Sequence, residues 1–384
     1  MTSEPTKATT ADEEPLSREE TLGVMSAVPT PGTQPDDAVV SPAKKLRVKW
    51  YRSPVPRAEL NQLNQRSDLL GFAQTLGFLA VLATGCGLAI YSFFHWPWYV
   101  TALFVFLNGH FWHFLINGFH ELIHDSVFKT RRFNRFFVRM FSFLGWYNHH
   151  HFWASHTEHH KYTMYQPEDL EVVQPEYYPK DALYKTGIVN LKWPFVTIRD
   201  HLKLALGRID PDDSWTNSLF PESEPLRRRA YFNWARFVLV GHALIAGVAL
   251  TCGWWIVLLT FTFPMIFGSW LFILCNSSQH VGLCDKVSDF RLCCRTIYLS
   301  PFVQFLYWHM NYHTEHHMYA AVPCYNLGKL HRLIKDDLPH CPNGLIETWK
   351  QVYEIQERQK IDPDYRYVAE LPTPSPAKVG RDDY

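Results

Sequence analysis

Three histidine-rich strings stand out in this chain. The first is HELIH, with His120 and His124; the second and third are both HTEHH, with His156, His159 and His160, then His313, His316 and His317. A fourth element, NSSQH, places Asn276 four residues before His280. The chain has 20 histidines in 384 residues, so an HxxHH string placed by chance would be rare in one protein, yet it occurs twice. Imidazole is the commonest metal ligand and suits iron, zinc and copper. The spacing therefore points to metal chemistry. Nine histidines exceed the needs of one ion, whereas about four or five nitrogen ligands for each of two ions would use them all. Neutral imidazoles bring no charge, so bridging oxygen species or carboxylates behind the rings must balance the ions. Glu121, Asp125, Glu158, Asp169 and Glu315 are the candidates, each against the alternative of a solvated surface acid. The run His149-His150-His151 reads as a polar loop.

The elements that must position these groups are apolar. Four runs stand out: Leu69–Phe94, Trp98–Phe119, Trp234–Thr251 and Trp254–Cys275. A membrane helix needs ~20 apolar residues. The runs pair across the short turns His95-Trp96-Pro97 and Cys252-Gly253, which predicts two transmembrane hairpins. Four buried helices of a soluble core would explain the apolar content but not the charges. Lys and Arg are absent from Leu69 to Phe128 and from Phe237 to Asp285, and cluster on both flanks. The positive-inside rule then places both termini and the central loop in the cytoplasm, with only the hairpin tips outside. Trp96, Trp98, Trp254 and Trp255 near the tips fit an aromatic belt. A helix from Trp98 to His124 would be ~40 Å long at 1.5 Å per residue, longer than the ~30 Å hydrocarbon core. His120 and His124 would emerge on the cytoplasmic side, four apart on one face, with His113 and Asn117 on that face above them. Asn276 and His280 follow the fourth run on the same side. The histidines can thus meet just under the membrane. Phe133–Tyr147 and Ile297–Tyr312 are apolar but interrupted, and read as interfacial or packing helices. The expected fold is an all-α integral membrane protein: four transmembrane helices as two hairpins, plus a cytoplasmic helical cap holding the metal site.

Composition sets the outer limits. Lys+Arg and Asp+Glu are both 37, giving a formal net charge of zero. That removes the basic-surface argument for a nucleic-acid partner. Eight cysteines without a CxxC pair indicate neither a disulfide scaffold nor a zinc ribbon. Residues 1–43 are rich in Thr, Pro, Ala, Ser and Glu, with no aromatic before Trp50; they read as a disordered tail, as do residues 370–384. The main domain is expected over 44–369. The N-terminal tail lacks a secretory signal pattern. Cys86 and Cys252 read as packing residues, and Lys161–Ala230 carries no legible motif.

HELIH, HTEHH and HTEHH, in this order and among two apolar hairpins, resemble the membrane-bound fatty acid desaturase and hydroxylase family, whose pattern is H-x3/4-H, H-x2/3-HH and H/Q-x2/3-HH. The resemblance covers roughly Leu69 to Ile334. The stretch NYHTEHHMYAAVPCYNLGKLH is similar to the third box of bacterial-type acyl desaturases and carotenoid ketolases, and NSSQH to the N-x3-H element of acyl-CoA desaturases. The resemblance implies a non-haem di-iron centre, with two iron ions held by His120, His124, His156, His159, His160, His280, His313, His316 and His317, and with Asn276 reaching a metal through water. It implies O2 as co-substrate and the removal of two hydrogens from a fatty acyl chain or related lipid. No HPGG haem motif is present, so electrons must come from a separate carrier, cytochrome b-type or ferredoxin-type, and its reductase. The third box opens with His313 rather than Gln, unlike front-end desaturases with a fused haem domain. The chemistry agrees: an alkyl C–H bond has no acidity for a general base to exploit, so a strong oxidant made from O2, shielded from water, is required. The endoplasmic reticulum membrane is the expected location in a eukaryote, and the inner membrane in a bacterium.

Other readings compete. A hydroxylase or ketolase would use the same centre. HELIH also satisfies H-E-x-x-H, the zinc metalloprotease pattern with Glu121 as base, but that leaves both HTEHH strings and NSSQH unexplained. A ferritin-like carboxylate site needs a second Glu-x-x-His, and only Glu121-x-x-His124 occurs. A metal transporter or store is the non-enzymatic alternative, and it would tolerate loss of a single histidine.

Overall fold

The computed structural model describes residues 46–173 and 187–372, and both tails expected to be disordered lie largely outside them. Among the described residues the protein is all-α, with only isolated β-bridges. Helix α1 (Arg57–Leu63) leads into α2 (Asp68–His95), which Ser67 caps by accepting from Leu70 N at 3.3 Å. The turn at Pro97, which lacks the N–H a continuing helix needs, starts α3 (Trp98–Trp112). After a break at His113 and Phe114, α4 (Leu115–Ile123) carries HELIH. Then come α5 (Arg131–Leu144), α6 (His149–Tyr162), α7 (Trp193–Ala205), α8 (Ser214–Leu219) and α9 (Pro225–Thr251). Short helices follow: α10 (Trp270–Asn276), α11 (Phe290–Cys293), α12 (Pro301–Leu306), α13 (His313–Met318) and α14 (Cys324–Ile334). Helix α15 (Gly344–Gln359) closes the described order.

Among the described residues three stretches are long and apolar enough to cross a membrane: Asp68–His95, Trp98–Ile123 and Pro225–Thr251. Only 28, 44 and 22 % of their most apolar windows is buried within the protein, so their apolar faces point outward. On α9 the outward stripe is Phe237, Val240, Leu244 and Val248, 56 to 65 % exposed. A water-soluble helix would place charges there.

The expected fourth span is not a continuous helix. The run 254–275 breaks into a π-helical turn (Leu258–Thr262), a 3-10 turn (Pro264–Ile266) and α10. Pro264 interrupts the backbone ladder, and Gly268 takes the left-handed φ of +74°. The freed carbonyls find side-chain donors, as an apolar setting demands. Asn108 Nδ2 donates to Thr260 O at 2.8 Å, Cys86 Sγ to the same oxygen at 3.1 Å, and Trp146 Nε1 to Thr262 O at 2.8 Å. Helix α3 touches the broken segment so closely that a Cβ on Gly109 would lie 2.5 Å from Phe267 O.

Two further expectations change. Within Ile297–Tyr312 the helix is confined to Pro301–Leu306, because Trp308 and His309 adopt positive φ. His149, His150 and His151 form the first turn of α6 rather than a loop, with the Asn148 side chain accepting from His150 N at 3.2 Å. The hairpin tips do meet: Phe94 lies 5.5 Å from Trp254, and Phe93 4.8 Å from Trp255, between ring centroids. The histidines lie at the opposite end.

Candidate metal centre

Helical periodicity sorts the histidines. Residues three and four apart both lie on the face of the first, but on opposite sides of it and about 100° from each other, so the two can serve different neighbours. His120 and His124 sit at the end of α4; His156, His159 and His160 lie in the last turns of α6; His313, His316 and His317 occupy α13. The i,i+4 pairs 120/124 and 156/160 join His316 in one group. The i,i+4 pair 313/317 joins His159 and His280 in a second. In each group the ligating atoms lie within 4.8 Å of one another. Each HTEHH string therefore splits, its middle histidine crossing to the group that the other string anchors. The groups adjoin: the His160 and His317 rings lie 4.5 Å apart, and those of His316 and His317 5.9 Å apart. All four histidines of the second group are buried; in the first, His124 and His160 are half-buried.

The imidazoles are held from behind. His156 Nδ1 donates to Glu171 Oε1 at 2.7 Å, and His159 Nδ1 to Asp169 Oδ2 at 2.8 Å. His280 Nδ1 donates to Cys293 O at 2.7 Å, and His317 Nδ1 to Thr163 Oγ1 at 3.2 Å. Glu121 Oε1 accepts from His120 Nδ1 at 3.1 Å and lies 3.5 Å from His316 Nδ1. On these rings Nε2 is left to face inward, whereas Nδ1 of His313 is buried without a hydrogen-bond partner. His313 Nε2 lies 2.8 Å from His280 Nε2 and 3.1 Å from His317 Nε2, and His316 Nε2 lies 3.2 Å from His160 Nε2.

The donor set fits a metal. Nε2 of His124 and of His156 are buried without any hydrogen-bond partner, a cost a folded protein rarely bears without a ligand. Burial pushes His156, His160, His313, His316 and His317 well below the ordinary histidine range, which keeps them in the neutral form that ligates. His159 is the exception. Burial alone would lower it, but the Asp169 charge and hydrogen bond, with Glu171, raise it to about 9. An all-nitrogen set backed by carboxylates suits iron, copper or zinc.

Of the five acids proposed from sequence, Glu121 and Asp169 touch the imidazoles. Glu158 instead pairs with Lys161 at 2.6 Å in partly exposed positions. Glu315 turns away, bonding His331 Nδ1 and Thr296 Oγ1, both at 2.5 Å. Asp125, at φ +57°, ends the turn after α4. Asn276 ends α10 half-buried, four residues before His280. Glu171, Thr163 and the Cys293 carbonyl were missed. Glu171 and Asp169 lie in a loop without periodicity, and only the turn at Met164, held at φ +65°, carries that loop behind α6. There Asp169 Oδ2 also accepts from Met164 N at 2.8 Å. Glu121 lies behind the ring of His120, its Oε1 3.1 Å from His120 Nδ1 and its Oε2 buried without a hydrogen-bond partner.

Residues 95–349, more than half of the chain, match the fatty acid desaturase family. The chain belongs to that family. Comparison with curated proteins finds no match. The family and the three long apolar stretches together make this a membrane protein.

Proposed function

We propose that this protein is a di-iron, O2-dependent lipid desaturase, which introduces a C=C bond into a fatty acyl chain or a related lipid. The observation carrying this reading is the sorting of nine histidines into adjoining groups of five and four, each able to hold one ion. The overall change is –CH2–CH2– plus O2, two electrons and two protons to –CH=CH– plus two waters. When bound, the iron pair would supply O2 activation and an oxidant for the C–H bond. His120, His124, His156, His160 and His316 would hold one iron; His159, His280, His313 and His317 the other, with Asn276 near it through water.

The chain's own contribution is orientation and enclosure. Glu121, Asp169 and Glu171 fix Nδ1 protons at their oxygens, leaving each paired Nε2 free to ligate. The carboxylates also offset the charge of ions bound by neutral rings. Phe152, buried, packs against His120 and His156, with buried Phe119 behind it, and the two limit water. An apolar substrate would approach from the lipid, along the outward faces of the spanning helices. The broken run 254–275 would serve as a fourth, discontinuous crossing, with the histidines on the cytoplasmic side.

The test is metal content per chain of detergent-purified protein from iron-supplied cells, followed by product mass. Two irons, with His316→Ala losing both metal and oxidation, support the reading; one zinc, retained in that variant, overturns it. Loss of two hydrogens from the product marks a desaturase, and gain of one oxygen a hydroxylase.

A further inference from the structure

We propose that the surface around Trp50 is the docking site of an acidic one-electron carrier protein, and that Trp50 and Phe290 form the contact through which electrons reach the second histidine group. This rests on the oxidase reading above, which needs two electrons from outside the chain.

The geometry begins at the ligand set. His317 is buried, and the Phe290 ring lies against it, 5.5 Å between centroids. Phe290 is itself fully buried. Trp50 stacks flat on Phe290, at 4.1 Å and 10° between planes. Trp50 is half-buried, so its ring reaches the surface. Two aromatic rings in van der Waals contact thus bridge solvent and a candidate ligand. Electron tunnelling weakens exponentially with edge-to-edge distance, so a carrier seated on Trp50 would have a short path. The contact is built. Trp50 Nε1 donates to Lys161 O at 2.9 Å, Tyr165 packs edge-on at 5.9 Å, and Tyr51 N donates to Ser288 O at 2.8 Å. Ser53 ties this N-terminal strap, residues 46–56, to the end of α13, its carbonyl accepting from Tyr319 Oη at 2.7 Å.

The charges around this contact choose the partner. Arg47, Lys49 and Arg52 are exposed on the strap, and Lys286 is exposed two residues before Ser288. Among the described residues none of the four forms an ion pair. Of the nearby acids, Glu158 is paired with Lys161 at 2.6 Å, while Asp289 and Asp337 share Arg291 at 2.7 and 2.9 Å. Arg291 also covers the Tyr51 ring at 3.9 Å. The result is a basic rim about an aromatic centre, complementary to an acidic protein. Such rims act on encounter rate and are screened by salt.

The test uses the full-length, iron-loaded protein in nanodiscs and the soluble domain of an acidic b-type cytochrome as probe. Equilibrium binding is measured at low and high salt for the wild type and for K49E/R52E/K286E. Binding should weaken roughly tenfold or more at low salt, and its salt dependence should shrink. The carrier-driven oxidation rate should fall relative to the rate with a small chemical reductant, which needs no docking. Trp50→Leu should leave binding in place but slow reoxidation of the haem at saturating carrier, read from the haem spectrum. Unchanged binding in the charge-reversal variant overturns the docking site, and unchanged haem reoxidation in Trp50→Leu overturns the path. If neither the carrier nor the chemical reductant drives oxidation by the wild type, the oxidase reading fails instead, and binding alone still judges the surface.

Discussion

Each histidine at the centre has two ring nitrogens, and at His120, His156 and His159 a carboxylate behind the ring determines which one faces inward. Asp169 does this for His159 while accepting from Met164 N and Glu171 N. Asp169→Asn keeps the shape and removes the charge. It should cost 10–100-fold in metal affinity, as is usual for such partners; competition with a chelator would show it, and wild-type retention of metal would refute the role. The same pair makes a pH prediction for the metal-free chain. His159 is raised from 6.5 to about 9 in the folded protein. The folded state therefore holds a proton that the unfolded chain releases, and the stability this contributes is full below 6.5 and lost as pH climbs through about 9. The melting temperature of chelator-treated protein should fall across that window, whereas a flat profile would count against the charged pair.

Helix α4 depends on how closely its neighbours approach. Gly118 lies two residues before His120, and a Cβ there would sit 2.5 Å from both Phe141 Cε2 and Trp308 Cε2. Both rings are buried and cannot swing aside. Gly118→Ala should destabilise the protein by ~1–3 kcal/mol through overpacking and displace His120 with it. Gly247 on α9 is the control, since a Cβ there meets nothing within 4 Å. Equal melting temperatures for the two alanine variants would show that α4 has room to shift. The broken run 254–275 follows the same logic. Its apolar composition suits a membrane helix, but Pro264 and the positive φ at Gly268 interrupt it, and Asn108 and Trp146 take up the released carbonyls. Composition records how apolar a segment is; continuity depends on single backbone positions and on donors from distant helices.

For the molecule as a whole, the outward apolar stripe of α9 ties the fold to its surroundings. Leu244 is 65 % exposed in the middle of that stripe. Leu244→Arg should cost ~2.5–3.5 kcal/mol on insertion if the stripe faces lipid. The fraction retained in membranes after an alkaline wash would fall; full retention would place α9 elsewhere. The all-α architecture and the membrane character were legible without coordinates, because runs of twenty apolar residues and the absence of Lys and Arg within them are local properties of the chain. The histidine strings were legible for the same reason, since a helix converts spacing four directly into a shared face. Their division into two groups was not. His316 joins His120 and His156, while His159 joins His280 and His313, across separations of up to about 200 residues. Such pairings depend on how α4, α6 and α13 pack together. Glu171 behind His156 and Trp50 on Phe290 belong to the same class, each in irregular chain whose course no periodicity predicts, and each placed by the packed helices around it.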